Sequence, residues 1–114
     1  MSSHQKREIT AVGVRFAIVN DDGHEIARGY LYVMKNDLHE RPFGLMEDVF
    51  VSETERRQGY GKMIVKMIED EARARDCYKL IATSRHARSQ VHDLYKDLGF
   101  ANFGLEFRKD FPSS

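Results

Sequence analysis

The sequence predicts an α/β (α+β) sandwich, a mixed and mostly antiparallel sheet with one parallel β-α-β crossover and helices packed on it. Three observations predict it. Apolar residues alternate along two early segments joined by an Asp-Gly turn, a later stretch switches to helical spacing, and a short apolar run follows that helix after a brief polar link.

Taken in order, Val14, Phe16 and Ile18 alternate with Arg15, Ala17 and Val19, so a strand over 12–19 places three large apolar groups on one face. Asn20-Asp21-Asp22-Gly23 has turn chemistry, and the extended apolar run 26–34 completes a hairpin. Residues 35–42 are polar and end in Pro42, which marks a surface connection, and 45–51 reads as a third strand. Within 59–75, Ile64, Met67, Ile68, Glu71 and Ala72 fall at helical spacing. Leu80-Ile81-Ala82-Thr83 is of buried-strand type, and strand, helix, strand in succession implies a parallel crossover. A second helix is expected over 87–98, where Val91, Leu94, Tyr95 and Leu98 share one face and Gly99 is placed to end it. Residues 100–108, with alternating Phe103, Leu105 and Phe107, are expected to form a final strand. The predicted order is β-β-β-α-β-α-β.

A chain of 114 residues fits one domain. The expected division is a polar tail over 1–10, a single domain over 11–110 and a short tail over 111–114. With 41% hydrophobic and 32% charged residues, the composition is that of a soluble globular protein. No apolar run approaches the ~18 residues a membrane span requires, so no membrane partner is expected. The first ten residues lack a signal-peptide core, and Cys77 is the only cysteine, which together suit a reducing, cytoplasmic compartment. Cys77 itself reads as a packing residue. Eighteen basic residues balance eighteen acidic ones, which argues against a nucleic-acid partner while leaving room for a local anion site. No spacing of histidine, cysteine and carboxylate resembles a metal site. His86 and His92 are either general bases, histidine being the residue type suited to that role near neutral pH, or solvated helix residues.

The most informative segment is Val49-Phe50-Val51-Ser52-Glu53-Thr54-Glu55-Arg56-Arg57-Gln58-Gly59-Tyr60-Gly61-Lys62, which runs from strand into helix. A helix start offers outward N–H groups and about half a positive charge. Gly59 and Gly61 would let an anion approach the main chain, and Arg56, Arg57 and Lys62 add positive side chains, so a pyrophosphate suits the turn. Taken alone, a Gly-x-Gly pair equally fits a turn that needs glycine for backbone reasons. The Gly-Lys-Ser/Thr ending of a nucleotide P-loop is absent, as is a three-glycine dinucleotide fingerprint after the first strand.

Arg56-x-x-Gly59-x-Gly61 after a Val-x-Val strand resembles the Arg/Gln-x-x-Gly-x-Gly/Ala signature of the GNAT superfamily of N-acetyltransferases. Leu94-Tyr95-Lys96-Asp97-Leu98-Gly99-Phe100 resembles its second signature, Leu/Phe-Tyr-x-x-x-Gly-Phe. The likeness covers about 12–108. Gly44-Leu45-Met46-Glu47-Asp48-Val49 and Cys77-Tyr78-Lys79-Leu80-Ile81 look most like the glucosamine-6-phosphate N-acetyltransferases within it. The resemblance implies a GNAT-like fold without the strand and helices that usually precede the hairpin, and acetyl-CoA as co-substrate. The acetyl group would pass to an amine acceptor by direct attack.

The same resemblance implies roles for single residues. The pantetheine arm would pair with the main chain of Val49, Phe50 and Val51, as an added strand does. The pyrophosphate would sit on the N–H groups of Arg57, Gln58, Gly59, Tyr60, Gly61 and Lys62, with Arg56 steadying the loop or reaching a phosphate. Tyr95 matches the tyrosine that donates a proton to the departing thiolate; by spacing alone it is a packing residue. Arg88 stands where many members carry a cofactor-contacting asparagine, and either reaches a phosphate or is a solvated helix residue. Glu47 and Asp48, on a strand, should point to opposite faces. One would hold the amine and take its proton, unless both are strand-end charges. The acceptor is a small amine or amino sugar phosphate, with a protein or peptide amine as the second possibility and a non-catalytic acyl-CoA-binding module as the third. A homodimer would cover apolar residues of the terminal strand such as Phe103, Leu105 and Phe107.

Overall fold

The computed structural model describes residues 1–84 and 89–112. The chain divides into two compact units, Met1–Ala82 and Thr83–Ser114, each described by itself.

The first unit contains β1 (Val12–Val19), β2 (Glu25–Met34), β3 (Phe43–Val51), a 3₁₀ turn (Glu53–Glu55), α1 (Tyr60–Ala74) and β4 (Leu80–Ala82). The sheet runs β1-β2-β3-β4. Its first two pairings are antiparallel and the last is parallel, so β3-α1-β4 is the crossover that the change of period predicts. The hairpin closes on Asn20, whose Oδ1 accepts the N–H groups of Asp22 at 3.0 Å and His24 at 2.9 Å. Asparagine in that position replaces the ladder with a local turn of its own.

Cross-strand register fixes the core face. Val14 lies opposite Leu31, Phe16 opposite Gly29 and Ile18 opposite Ala27, so the alternating apolar residues of β1 share a face with the buried stripe of β2. Against that face α1 buries Ile64, Val65, Ile68 and Ala72, and Leu31, Ile64, Val65 and Ile68 are sealed from solvent. Each such side chain contributes on the order of 1.5–3 kcal/mol of burial. The helix ends without glycine: Asp76, at φ 62, follows the C-cap. Its N–H reaches Arg73 O and that of Cys77 reaches Ala72 O, both at 3.0 Å, which satisfies the last carbonyls in a Schellman arrangement. Cys77 is half-buried, and loss of hydration pushes its thiol above the ordinary cysteine range.

In the second unit α2 spans Ser89–Asp97. The expected final strand over 100–108 is not formed, and 101–112 have no regular structure. Phe103, Leu105, Phe107 and Phe111 stand exposed there. Alternation says which face a strand would bury, but a strand also needs a neighbour to take its main-chain hydrogen bonds. Among the described residues of this unit the one regular element is a helix, which offers none.

Candidate functional site

The site region begins at an irregularity in β3. Arg28 lies opposite Phe50 but Tyr30 lies opposite Glu47, so Gly29 alone faces both Asp48 and Val49. This is a β-bulge, and Asp48 takes the left-handed conformation, φ 52, that such a position can require. Aspartate tolerates it better than most residues.

The bulge inverts the parity of the strand. Before it, Gly44 and Met46 are buried; after it, Val49 and Val51 turn to the core. A Cβ on Gly29 would lie 3.4 Å from Val49 Cγ2, and one on Gly61 would lie 3.6 Å from Val51 Cγ2. The simple alternation that places Glu47 and Asp48 on opposite faces therefore fails at Asp48. Glu47, opposite Tyr30, is half-buried on the face away from α1, while Asp48 is exposed.

The bulge also marks where the sheet opens. The β3–β4 ladder runs from Gly44↔Leu80 to Met46↔Ala82 and stops. Ser52 donates its N–H to Ile26 O at 2.8 Å, so Ser52 directs its main chain at β2. Val51 and Val49, by alternation, direct theirs to the other side. Consistent with this, Val51 O accepts the Arg56 Nε–H at 3.3 Å. Past Met46, on the side away from β2, no strand pairs with β3 among the described residues.

The chain then turns through Glu53–Glu55 and enters α1. Arg57 at φ 69 and Gly59 at φ 84 both sit in the left-handed region, and Gly59 is the N-cap. The first helical bond runs from Met63 N–H to Gly59 O, 3.0 Å. The N–H groups of Tyr60, Gly61 and Lys62 precede it, no side chain caps the helix, and its first turn carries no acid. An α-helix start in this state favours an anion. Arg56, Arg57 and Lys62 are exposed around it. Two expected ligand groups serve the loop itself: Arg56 holds Val51 O, and Gln58 Nε2 donates to Glu55 Oε2 at 3.2 Å.

On the face of the sheet away from α1 lies a cluster that periodicity did not reveal. Arg15 Nε–H donates to Tyr30 Oη at 3.0 Å, and Arg15 Nη2 pairs with Glu25 Oε1 at 2.6 Å. The Tyr30 hydrogen bond, then Glu25, raise the Arg15 guanidinium above the usual arginine range. The Arg28 guanidinium lies over the Phe50 ring, 4.8 Å from its centroid. The sequence signal was present as alternate polar and aromatic positions on β1 and β2, but joining them required the cross-strand register.

In the second unit the Tyr95–Phe100 signature has a local structural explanation. Phe100 N–H reaches Tyr95 O at 2.9 Å and Gly99 N–H reaches Lys96 O at 3.0 Å, with Gly99 at φ 90. This is a Schellman end, and the Tyr95 and Phe100 rings, 5.5 Å apart, supply the accompanying apolar contact. Tyr95 and His92 are half-buried. Arg88 and His86 lie outside the described residues. Among the described residues no group of three or more His, Cys, Asp or Glu could hold a metal ion, and no helix is long and apolar enough to cross a membrane. A shallow groove of Leu38, His39, Glu40, Arg41 and Tyr78 lies beside the start of β3 and contains none of the expected catalytic or cofactor-binding residues.

Residues 3–100 match the Acetyltransferase (GNAT) family. The chain is 29% identical over 92 residues to a glucosamine 6-phosphate N-acetyltransferase of Candida albicans, covering 80% of this chain and 60% of that protein. It is also 29% identical over 77 residues to an aminoglycoside N(6')-acetyltransferase type 1 of Serratia marcescens, covering 68% and 51% respectively. The chain thus spans less than two thirds of the length of either relative. Among solved structures, the glucosamine-6-phosphate N-acetyltransferase of Arabidopsis thaliana superposes with a TM-score of 0.80 at 25% identity, over 88% of this chain and 67% of that one.

Proposed function

The chain belongs to the acetyltransferase (GNAT) family, and on that premise we propose that it transfers the acetyl group of acetyl-CoA directly to a primary amine. One observation carries the reading. A strand edge that opens at a bulge and an uncapped helix start lie within one short segment, from Asp48 to Lys62. An extended thioester with an anionic end needs those two features in that order.

In this reading the pyrophosphate rests on the N–H groups of Tyr60, Gly61 and Lys62, with Arg57 and Lys62 adding charge. The pantetheine arm lies along Val49–Val51, where Val49 and Val51 direct main-chain groups to the open side, and an N–H there polarises the thioester carbonyl. Phe50 contributes its side chain to the other face. Glu47 holds the acceptor amine and takes its proton, directly or through water, with Asp48 as the other candidate. The amine nitrogen bonds to the carbonyl carbon as the carbon–sulfur bond breaks, and the thiolate takes a proton. Tyr95 supplies that proton on the strength of its signature, and Arg88 reaches the cofactor on the strength of its position in the chain. The acceptor is a small amine. An amino sugar is favoured because the relatives' names specify one.

Calorimetry with acetyl-CoA, alongside free-thiol release across amines, amino sugar phosphates and peptides, tests the proposal. Micromolar binding together with release in the presence of a small amine is expected. Binding with no release for any amine would leave an acyl-CoA-binding module instead, and release with peptides alone would move the acceptor to protein amines.

A further inference from the structure

We infer that Arg28, seated on Phe50, is the acceptor-side anion receptor, so that the preferred acceptor carries its amine at one end and an acidic group at the other. This inference rests on the transferase reading above, whose site it extends to the substrate.

Four side chains set the geometry. Glu47 and Phe50 come from β3, Tyr30 and Arg28 from β2, and they are paired across the ladder as Tyr30↔Glu47 and Arg28↔Phe50. Cross-strand partners share a face, so all four project from the side of the sheet opposite α1. The bulge makes this possible. Without the extra residue, Phe50 would fall on the face opposite to Glu47's row partner, and the guanidinium would have no ring beneath it.

Among the described residues two arginines lie in this cluster, and one of them has a carboxylate partner. Arg15 is engaged by Glu25 at 2.6 Å and by Tyr30 Oη at 3.0 Å. Arg28 forms no ion pair among the described residues and lies 4.8 Å above the ring of Phe50, itself 43% exposed. An aromatic face holds a guanidinium by its quadrupole and leaves the N–H edges, which match a phosphate or carboxylate bidentately, directed outward. Orientation is thus supplied by the protein and the counter-charge is left to a ligand.

Spacing then limits the acceptor. Arg28 and the Tyr30 row that carries Glu47 are two residues apart, roughly 7 Å along the strand. An amine held at Glu47 and an acid held at Arg28 therefore sit about one sugar ring apart, too far to share a carbon. An amine bearing a phosphate or carboxylate across a ring or short chain fits, whereas a polycation meets Arg28 as a like charge.

The test compares glucosamine 6-phosphate with glucosamine, a pair that differs by the anion alone. Wild-type protein is expected to prefer the phosphorylated amine in kcat/KM by at least tenfold. Arg28→Gln should erase most of that preference through KM, Arg28→Lys should restore part of it, and Arg7→Gln, which removes an equal charge from the tail, should leave the ratio unchanged. An unaltered ratio in Arg28→Gln, or a wild-type preference for a polycationic aminoglycoside, would overturn the inference. If acetyl-CoA binds but no amine is turned over, the transferase reading fails separately. Arg28 is then judged by glucosamine 6-phosphate binding in a low-salt NMR titration, where equal shifts in wild type and Arg28→Gln refute it.

Discussion

Gly29 of β2 lies directly against Ile64 of α1: a Cβ built on it would sit 2.6 Å from Ile64 Cγ2 and 2.9 Å from Ile68 Cδ1. The helix can approach the sheet this closely because that position has no side chain. Gly29→Ala should therefore destabilise the protein by about 1–3 kcal/mol, the usual consequence of overpacking. A urea unfolding curve with a lower midpoint and unchanged slope would record it, and an unchanged midpoint would mean that α1 is free to move off the sheet.

Gly59 has open space around its Cα, yet its φ of 84 lies where a side chain is strained. Alanine there should cost about 1–2 kcal/mol, and asparagine less. Thermal melts of Gly59→Ala and Gly59→Asn rank the two directly.

Gly61 separates charge from shape. Its added Cβ would meet Val51 Cγ2 at an ordinary 3.6 Å, so Gly61→Ala should fold and still bind acetyl-CoA. In Gly61→Glu a carboxylate in the first turn suits the helix dipole and should not lower stability, but it competes for the anion position. Acetyl-CoA affinity in calorimetry should fall at least tenfold while Tm holds; retained affinity would move the pyrophosphate elsewhere.

Tyr95→Phe keeps the ring that meets Phe100 at 5.5 Å and removes only the hydroxyl. Stability and acetyl-CoA affinity should be nearly unchanged, and free-thiol release should drop by about 10²-fold if the phenol supplies the proton. Full turnover would reduce the residue to its part in the Schellman end of α2.

Burial raises the Cys77 thiol above the ordinary cysteine range, so less of it is thiolate at pH 8 in the folded chain than in the unfolded one. Alkylation by iodoacetamide should be slow in buffer and accelerate in urea, as followed by mass spectrometry. Equal rates in both would show that the thiol is already exposed.

The hairpin, the crossover and the anion-favouring turn were legible in the sequence because each depends on local patterning: alternation in β1, helical spacing in α1, and Gly59 before a helix. The absent strand over 100–108 shows the limit of alternation, since Phe103, Leu105 and Phe107 name a face but cannot name a neighbour. The Glu47-Asp48 step shows a second limit, because a bulge is a property of two strands in register and Gly29 is nineteen positions upstream of Asp48.

By itself the sequence determined which segments alternate, which coil, and where a helix begins on glycine with basic residues beside it, all consequences of main-chain sterics and side-chain period. Only the tertiary structure decided that the β3–β4 ladder ends at Met46, that Val49 and Val51 regain the core face, and that Arg28 comes to rest on Phe50 while Arg15 is taken by Glu25. Those outcomes depend on pairing energies between residues distant in the chain, and a one-residue change of register would reverse each of them.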